Sequence, residues 1–254
     1  LAAAAVLSIG HIAQPAFAAD KSVLSLMPAE IIDCQAHDDA RETADAKLAE
    51  TAMGLLQNGD VTALRAMQPQ LETAGSHAPD KPSLPEKCGS TLIIYGGGLG
   101  ELLMATALTE KPELGINKVE QREALPYARL HLLIGWLYVE QGDLEKADHW
   151  LARGLKNDPR DSLLASEYAN TLSQIGRSAE ALVFVDAFLA ENEDLGDDVR
   201  AVLLRRRGYA LGELGRHDEA IAAFNASLKL APGNEGALSE IEWNRSEKKR
   251  KKKK

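Results

Sequence analysis

Three short stretches decide the fold: Gln141-Gly142-Asp143, Ile175-Gly176-Arg177 and Leu214-Gly215-Arg216. Five residues beyond each glycine stands an alanine: Ala147, Ala181 and Ala220. Gly142 and Gly176 are 34 residues apart, and Gly215 follows 39 residues later, which is the same period with five residues inserted. The insertion falls in residues 191–198, an acidic stretch holding Gly196, where a longer turn between units costs little. A period of this length marks stacked helical hairpins, each burying against its neighbour a face that it cannot bury alone.

Each unit reads as helix A, a tight turn, helix B and an exit turn. In residues 128–161, Gly135 is the small residue of helix A, Tyr138 its aromatic, Ala147 the small residue of helix B and Pro159 the exit. In residues 201–234, Gly208, Ala220, Phe224 and Pro232 take the matching places. The middle unit, 162–195, keeps Ala169 and Ala181, with Leu172 in place of the aromatic and no exit proline. In period and residue identity this array resembles the tetratricopeptide-repeat (TPR) family. The resemblance implies an all-α fold: a TPR-type right-handed helical-hairpin solenoid with an N-terminal helical region. Residues 126–245 then hold three units and a capping helix whose apolar residues are Leu238, Ile241 and Trp243.

The resemblance also implies a use, because the family binds peptides or protein surfaces in the concave groove lined by helix A. Carried over by repeat position, the groove takes Arg129, Leu132, Trp136 and Val139 from the first unit and Ser166, Asn170 and Ser173 from the second. The third supplies Arg205 and Tyr209, with Arg206 at its edge. Tryptophan, tyrosine and arginine are the types that dominate binding energy at interfaces. The alternative for Trp136 is a core role, and for Arg205-Arg206-Arg207 a solvated face. One subfamily grips a C-terminal carboxylate with a clamp that needs lysine where Leu132 stands, so that pattern is incomplete here. Arg205 or Arg206 beside Asn170 remains able to hold an acidic group by a forked hydrogen bond.

Residues 19–125 carry a less regular message. Leu48, Ala52, Leu55 and Leu56 recur at helical spacing, and Asn58-Gly59-Asp60 separates 44–57 from 61–73 as a helix stop and N-cap. The hairpin fits a repeat at Ala52 and Leu55, but Leu64 stands where alanine belongs and Pro69 interrupts the second helix. Pro79, Pro82 and Pro85 predict a loop or extended linker. Thr91-Leu-Ile-Ile-Tyr95 is the one strand candidate, followed by Gly96-Gly97-Gly98-Leu99-Gly100 and a helix-like 101–110. That order suggests a phosphate-binding loop, yet Leu103 stands where the dinucleotide fingerprint needs glycine and no Gly-Lys-Ser/Thr follows. A tight turn is the better reading.

Leu1–Ala18 reads as the apolar core and small-x-small cleavage site, Ala16-Phe17-Ala18, of a secretory signal, so the expected setting is exported, periplasmic or secreted. In such a compartment Cys34 and Cys88 predict one disulfide. A metal cluster of Cys34, His37, Asp38 and Asp39 with Cys88 or His77 is the alternative, but the spacing fits no standard zinc pattern, and no metal or other cofactor is expected. The net charge of −9 hides a basic tail, 246–254, whose last seven residues are all Lys or Arg; without those seven, 22 Lys+Arg face 38 Asp+Glu. An acidic body argues against nucleic acid as main ligand, and the tail reads as a solvated, disordered charge run. No apolar run after the signal approaches the ~20 residues of a membrane-spanning helix. No nucleophile or metal motif appears, and His131, His149 and His217 fall in repeat helices or turns, His217 as an exposed residue. The expected partner is a protein or peptide, not an enzyme's substrate. The alternative is an N-terminal domain with its own small-ligand or catalytic role, for which the repeats recruit partners.

Overall fold

The three glycine turns close in one way. Gly142, Gly176 and Gly215 adopt φ of 76°, 80° and 70°, a region that L side chains resist. Their N–H groups donate to Val139, Ser173 and Gly212, and the next residues donate five positions back, to Tyr138, Leu172 and Leu211. This paired cap satisfies carbonyls that a helix end leaves orphaned. It is why the chain reverses at these points.

The computed structural model describes residues 31–79, 84–96, 105–106 and 108–251. The signal segment 1–18, glycines 97, 98 and 100, most of the first turn of 101–110 and residues 252–254 of the tail lie outside the described residues. The chain divides into two compact units: Ile134–Leu155 with the chain from Pro159 onward, and the chain up to Leu133 with Lys156–Asp158.

Among the described residues, the N-terminal part begins with the helices α1 (Asp39–Gln57), α2 (Val61–Ala66) and α3 (Gln68–Ser76), and residues 105–106 and 108–109 of the predicted 101–110 helix are helical. Asp38 and Asp60 cap α1 and α2 with their side chains, and Gly59 closes α1 with the same paired cap as the repeats. Pro69 sits in the first turn of α3, where its missing N–H costs nothing, so the predicted second helix is split at Met67. Among the described residues, four short strands follow the order β1-β2-β3-β4: β1 (Ile32–Asp33), β2 (Glu86–Cys88), β3 (Thr91–Tyr95) and β4 (Lys118–Arg122). β2 and β3 are antiparallel, and the outer pairs are parallel. The expected strand is therefore present, but the expected helical N-terminal region also holds a sheet. Leu92 and Ile94 on one face of β3 pack with Ala105, Leu108 and Ile116. Cys34 and Cys88 are joined as expected, closing a 54-position loop beside β2; a bridge over such a loop is worth ~4 kcal/mol in the chain-entropy picture. With both sulfurs so used, the alternative metal set is not assembled.

The repeats run as α4 (Tyr127–Gln141), α5 (Leu144–Asn157), α6 (Ser162–Gln174), α7 (Ser178–Glu191), α8 (Asp197–Glu213) and α9 (His217–Leu230), capped by α10 (Glu235–Lys251). The A–B contact repeats with compensating sizes. A Cβ on Gly135 would lie 2.5 Å from Leu151, and one on Gly208 would lie 2.8 Å from the Phe224 ring. In the middle unit Ala169 shares a core cluster with the smaller Val185. Ala147, Ala181 and Ala220 are fully buried on helix B. Two expectations about the end of the array change. The helix of the cap continues through Lys251, so Lys248–Lys251 is helical rather than disordered. His217 is 7% exposed rather than solvent-facing, because Asn244 of the cap reaches its Nδ1 at 2.9 Å and Trp243 packs on its ring.

The contact of Gly208 with the Phe224 ring gives a stability test. Gly208→Ala should lower stability by about 1–3 kcal/mol through overpacking on Phe224. Adding Phe224→Leu to that variant should cost less than Phe224→Leu does alone. Denaturant unfolding of the four proteins of this double-mutant cycle measures the coupling.

Candidate functional site

Three adjacent arginines on α8 go to three places. Arg207 donates through Nε to Asp186 of α7 at 2.6 Å. Arg206 spreads its guanidinium over α6: Nε to Ser166 Oγ at 3.1 Å, and the terminal nitrogens to Asn170 Oδ1 at 3.1 Å and Glu167 Oε1 at 3.2 Å. It thereby ties helix A of the second repeat to helix A of the third, and it occupies the polar groups of Ser166 and Asn170. Arg205 makes no hydrogen bond or ion pair among the described residues. It lines a concave pocket of about 180 Å³ with Val202, Arg206, Tyr209, Asn234 and Gly236. Burial, then repulsion from Arg206, pulls Arg205 below the usual arginine range. Its charge, permanent at neutral pH, is under-compensated there.

Tyr209 forms the apolar wall of that pocket. Its ring meets Phe224 edge-on, 5.5 Å between centroids, and 37% of the residue stays exposed. Burial, then the nearby Glu240, raises its phenol above the usual range. Trp136 and Val139 on α4 and Ser173 on α6 are half-buried, and Ser173 donates back to Ala169 O at 3.1 Å. Arg129 and Leu132 fall in the other compact unit. Arg129 is exposed, but Leu132 is 6% exposed and presents no surface to a ligand, which corrects its place in the predicted groove. Arg206 is a strap between repeats, so in the third repeat it is Arg205 that has no hydrogen bond or ion pair among the described residues. Glu167 and Asn234 were not foreseen, since neither occupies a position that the repeat pattern marks.

The N-terminal unit carries a second polar constellation. Glu86 on β2 is fully buried. It accepts from Gln35 N at 2.9 Å, Gln35 Nε2 at 3.1 Å and the Tyr95 hydroxyl at 2.7 Å, and His37 Nε2 lies 3.2 Å away. His37 Nδ1 faces Glu42 at 2.9 Å. Burial works against ionising Glu86, yet these donors, led by the Gln35 amide, hold it below the usual carboxylate range. Burial also opposes protonation of His37, but the hydrogen bonds to Glu42 and Glu86 raise it above its ordinary 6.5. Burial and then Glu86 push the Tyr95 phenol up. Beside the cluster opens a pocket of about 390 Å³ lined by Cys34, Gln35, His37, Asp39, Arg122 and their neighbours. His37 and Glu86 are 49 positions apart and Tyr95 lies on a third element, so no local spacing marked the set. His77, the other candidate ligand, pairs with Asp45 at 2.9 Å.

Comparison with known proteins gives two family-model matches, both described as "Tetratricopeptide repeat": residues 128–161 and 201–234. No curated protein is close enough in sequence to count as a relative. Among solved structures, the first TPR domain of human RPAP3 is 24% identical, with 47% of this chain and 90% of that chain covered and a TM-score of 0.43. The Sgt2 TPR domain from Aspergillus fumigatus is 14% identical over 51% and 83%, with a TM-score of 0.45. A point mutant of MamA is 18% identical over 85% and 93%, with a TM-score of 0.46.

The buried cluster has a pH signature with a definite sign. The raised His37 contributes stability fully below its unfolded value of 6.5, which fades as pH climbs through the folded value. The lowered Glu86 contributes above its ordinary 4.5, which fades as pH falls through the folded value. Stability should therefore peak between 4.5 and 6.5, and His37→Gln should remove the decline on the alkaline side. Thermal unfolding across pH, for parent and variant, checks this.

Proposed function

The chain is a tetratricopeptide-repeat protein, and from that premise we propose that it is a protein-interaction scaffold. In this reading the helix A face of the second and third repeats holds an extended partner segment with acidic and apolar side chains. The observation that carries it is Arg205, a cation with no ion pair among the described residues, set in a pocket beside Tyr209. A partner carboxylate on Arg205 makes a forked, charge-assisted hydrogen bond, and an apolar neighbour covers the tyrosine ring. Arg206 supports the site by fixing α6 against α8, so less ordering is left for the moment of binding. The face is read as binding rather than catalytic, because its other polar groups are spent on one another.

We also propose an exported setting, periplasmic or secreted. The small-x-small pattern at Ala16–Ala18 supports it, as does the Cys34–Cys88 bridge, since such bridges persist in oxidising compartments. A second reading has an observation of its own. The pocket above the Glu86 cluster, with His37 and Arg122 at its wall, suits a small polar ligand, for which the repeats would recruit partners.

Affinity selection from a peptide library, followed by titration calorimetry of the selected peptide, decides between them. Arg205→Glu and Tyr209→Ala should each weaken a selected acidic-apolar peptide by ~2 kcal/mol, and Trp136→Ala should weaken a peptide long enough to reach α4. Lys146→Ala, on helix B, should leave affinity unchanged. Salt should weaken binding only moderately, because apolar burial supplies part of the contact. Full affinity in both third-repeat variants, with loss on changing the N-terminal pocket, would transfer the function to the second reading.

A further inference from the structure

One face of the capping helix is packed: Ala237, Ile241 and Asn244 are 1%, 4% and 0% exposed, and the first two join the core cluster of Leu211, Ala220 and Phe224. Asn244 accepts from His217 and donates to the Glu240 carbonyl, which fixes the rotation of α10. Two large apolar side chains flank that face on opposite sides and stay partly in solvent: Leu238 at 49% and Trp243, which also packs on His217, at 43%. Helical spacing sets Leu238, Arg245 and Lys249 on one stripe, whereas Trp243 and Arg250 lie more than about 100° round the helix, with Glu242 and Ser246 between. The exposed acids of the helix are Glu235, in its first turn, and Glu242.

Beyond them the charge is one-sided. Residues 245–254 contain Arg245 and the unbroken basic run 248–254 against the single acid Glu247, eight cations to one anion. Lys248 is spent on Asp218 and Arg250 faces Glu247 at 2.7 Å, whereas Arg245 and Lys249 are exposed. A helix C-terminus favours a cation or two through its dipole, but that effect fades within the last turn and does not call for seven in a row.

We propose that this end of the chain docks on an anionic lipid surface, with the Leu238–Arg245–Lys249 stripe of α10 laid in the headgroup region. Charge complementarity selects an anionic partner, and exposed Leu238 in line with the cations selects a lipid interface over a phosphate backbone, which offers apolar side chains nothing on its outside. The acidic remainder of the chain opposes approach, but at physiological salt charges more than about 8 Å from the surface are screened, so the run in contact prevails. The inference does not depend on the groove.

The test is co-sedimentation of the full chain with phosphatidylcholine vesicles, with and without phosphatidylglycerol. Binding should require phosphatidylglycerol and fall with salt. The triple reversal Lys249→Glu/Arg250→Glu/Lys251→Glu should weaken it by at least roughly fivefold per cation removed. Leu238→Ser, which touches none of the packed face, should weaken it severalfold while the melting temperature stays at the parent's. Equal binding to neutral vesicles, or parent-like binding by the triple reversal, would overturn the proposal. So would an indifferent Leu238→Ser variant together with duplex DNA that strips the chain from vesicles, since the run would then be a nucleic-acid contact.

Discussion

The array depends on how closely helix A and helix B of one hairpin approach. Where helix A offers glycine, helix B fills the space with Leu151 or Phe224; where it offers Ala169, helix B offers the smaller Val185. Keeping the sum of volumes nearly constant lets hairpins of different sequence stack with one geometry, as close packing demands. The positive-φ glycine of each turn then matters as a partner of that contact. It reverses the chain without slack, so the small residue and its large complement meet in register.

With that spacing set, the outward positions of helix A are released from packing and can specialise. Positions 136, 170 and 209 recur by repeat and hold tryptophan, asparagine and tyrosine; positions 132, 166 and 205 hold leucine, serine and arginine. One of these is drawn into the core, as Leu132 shows, and two are joined by the Arg206 strap. In the third repeat this leaves a cation against a tyrosine face.

The repeats were legible because their signals are local and periodic: a glycine, an alanine five residues on, and an offset of 34. The disulfide was legible from cysteine count and the expected compartment. The sheet was not. β4 is Lys118-Val-Glu-Gln-Arg122, mostly polar, and β2 is three residues after a proline-rich stretch; both exist because β3 lends them hydrogen bonds, which no local pattern encodes. The same blindness hid the buried Glu86 and the burial of His217, each made by a residue far along the chain. For the arginines, sequence spacing showed that three neighbours must diverge but not which would stay unpaired.

Placing a photo-crosslinking amino acid at position 209 of helix A, and separately at position 183 of helix B, tests the binding face most directly. Both side chains are exposed, Tyr209 at 37% and Val183 at 67%, so accessibility does not favour the groove. If the helix A face is the binding surface, a selected peptide crosslinks from 209 and not from 183, and an excess of unlabelled peptide suppresses the product. Crosslinking from 183 with none from 209 would contradict it.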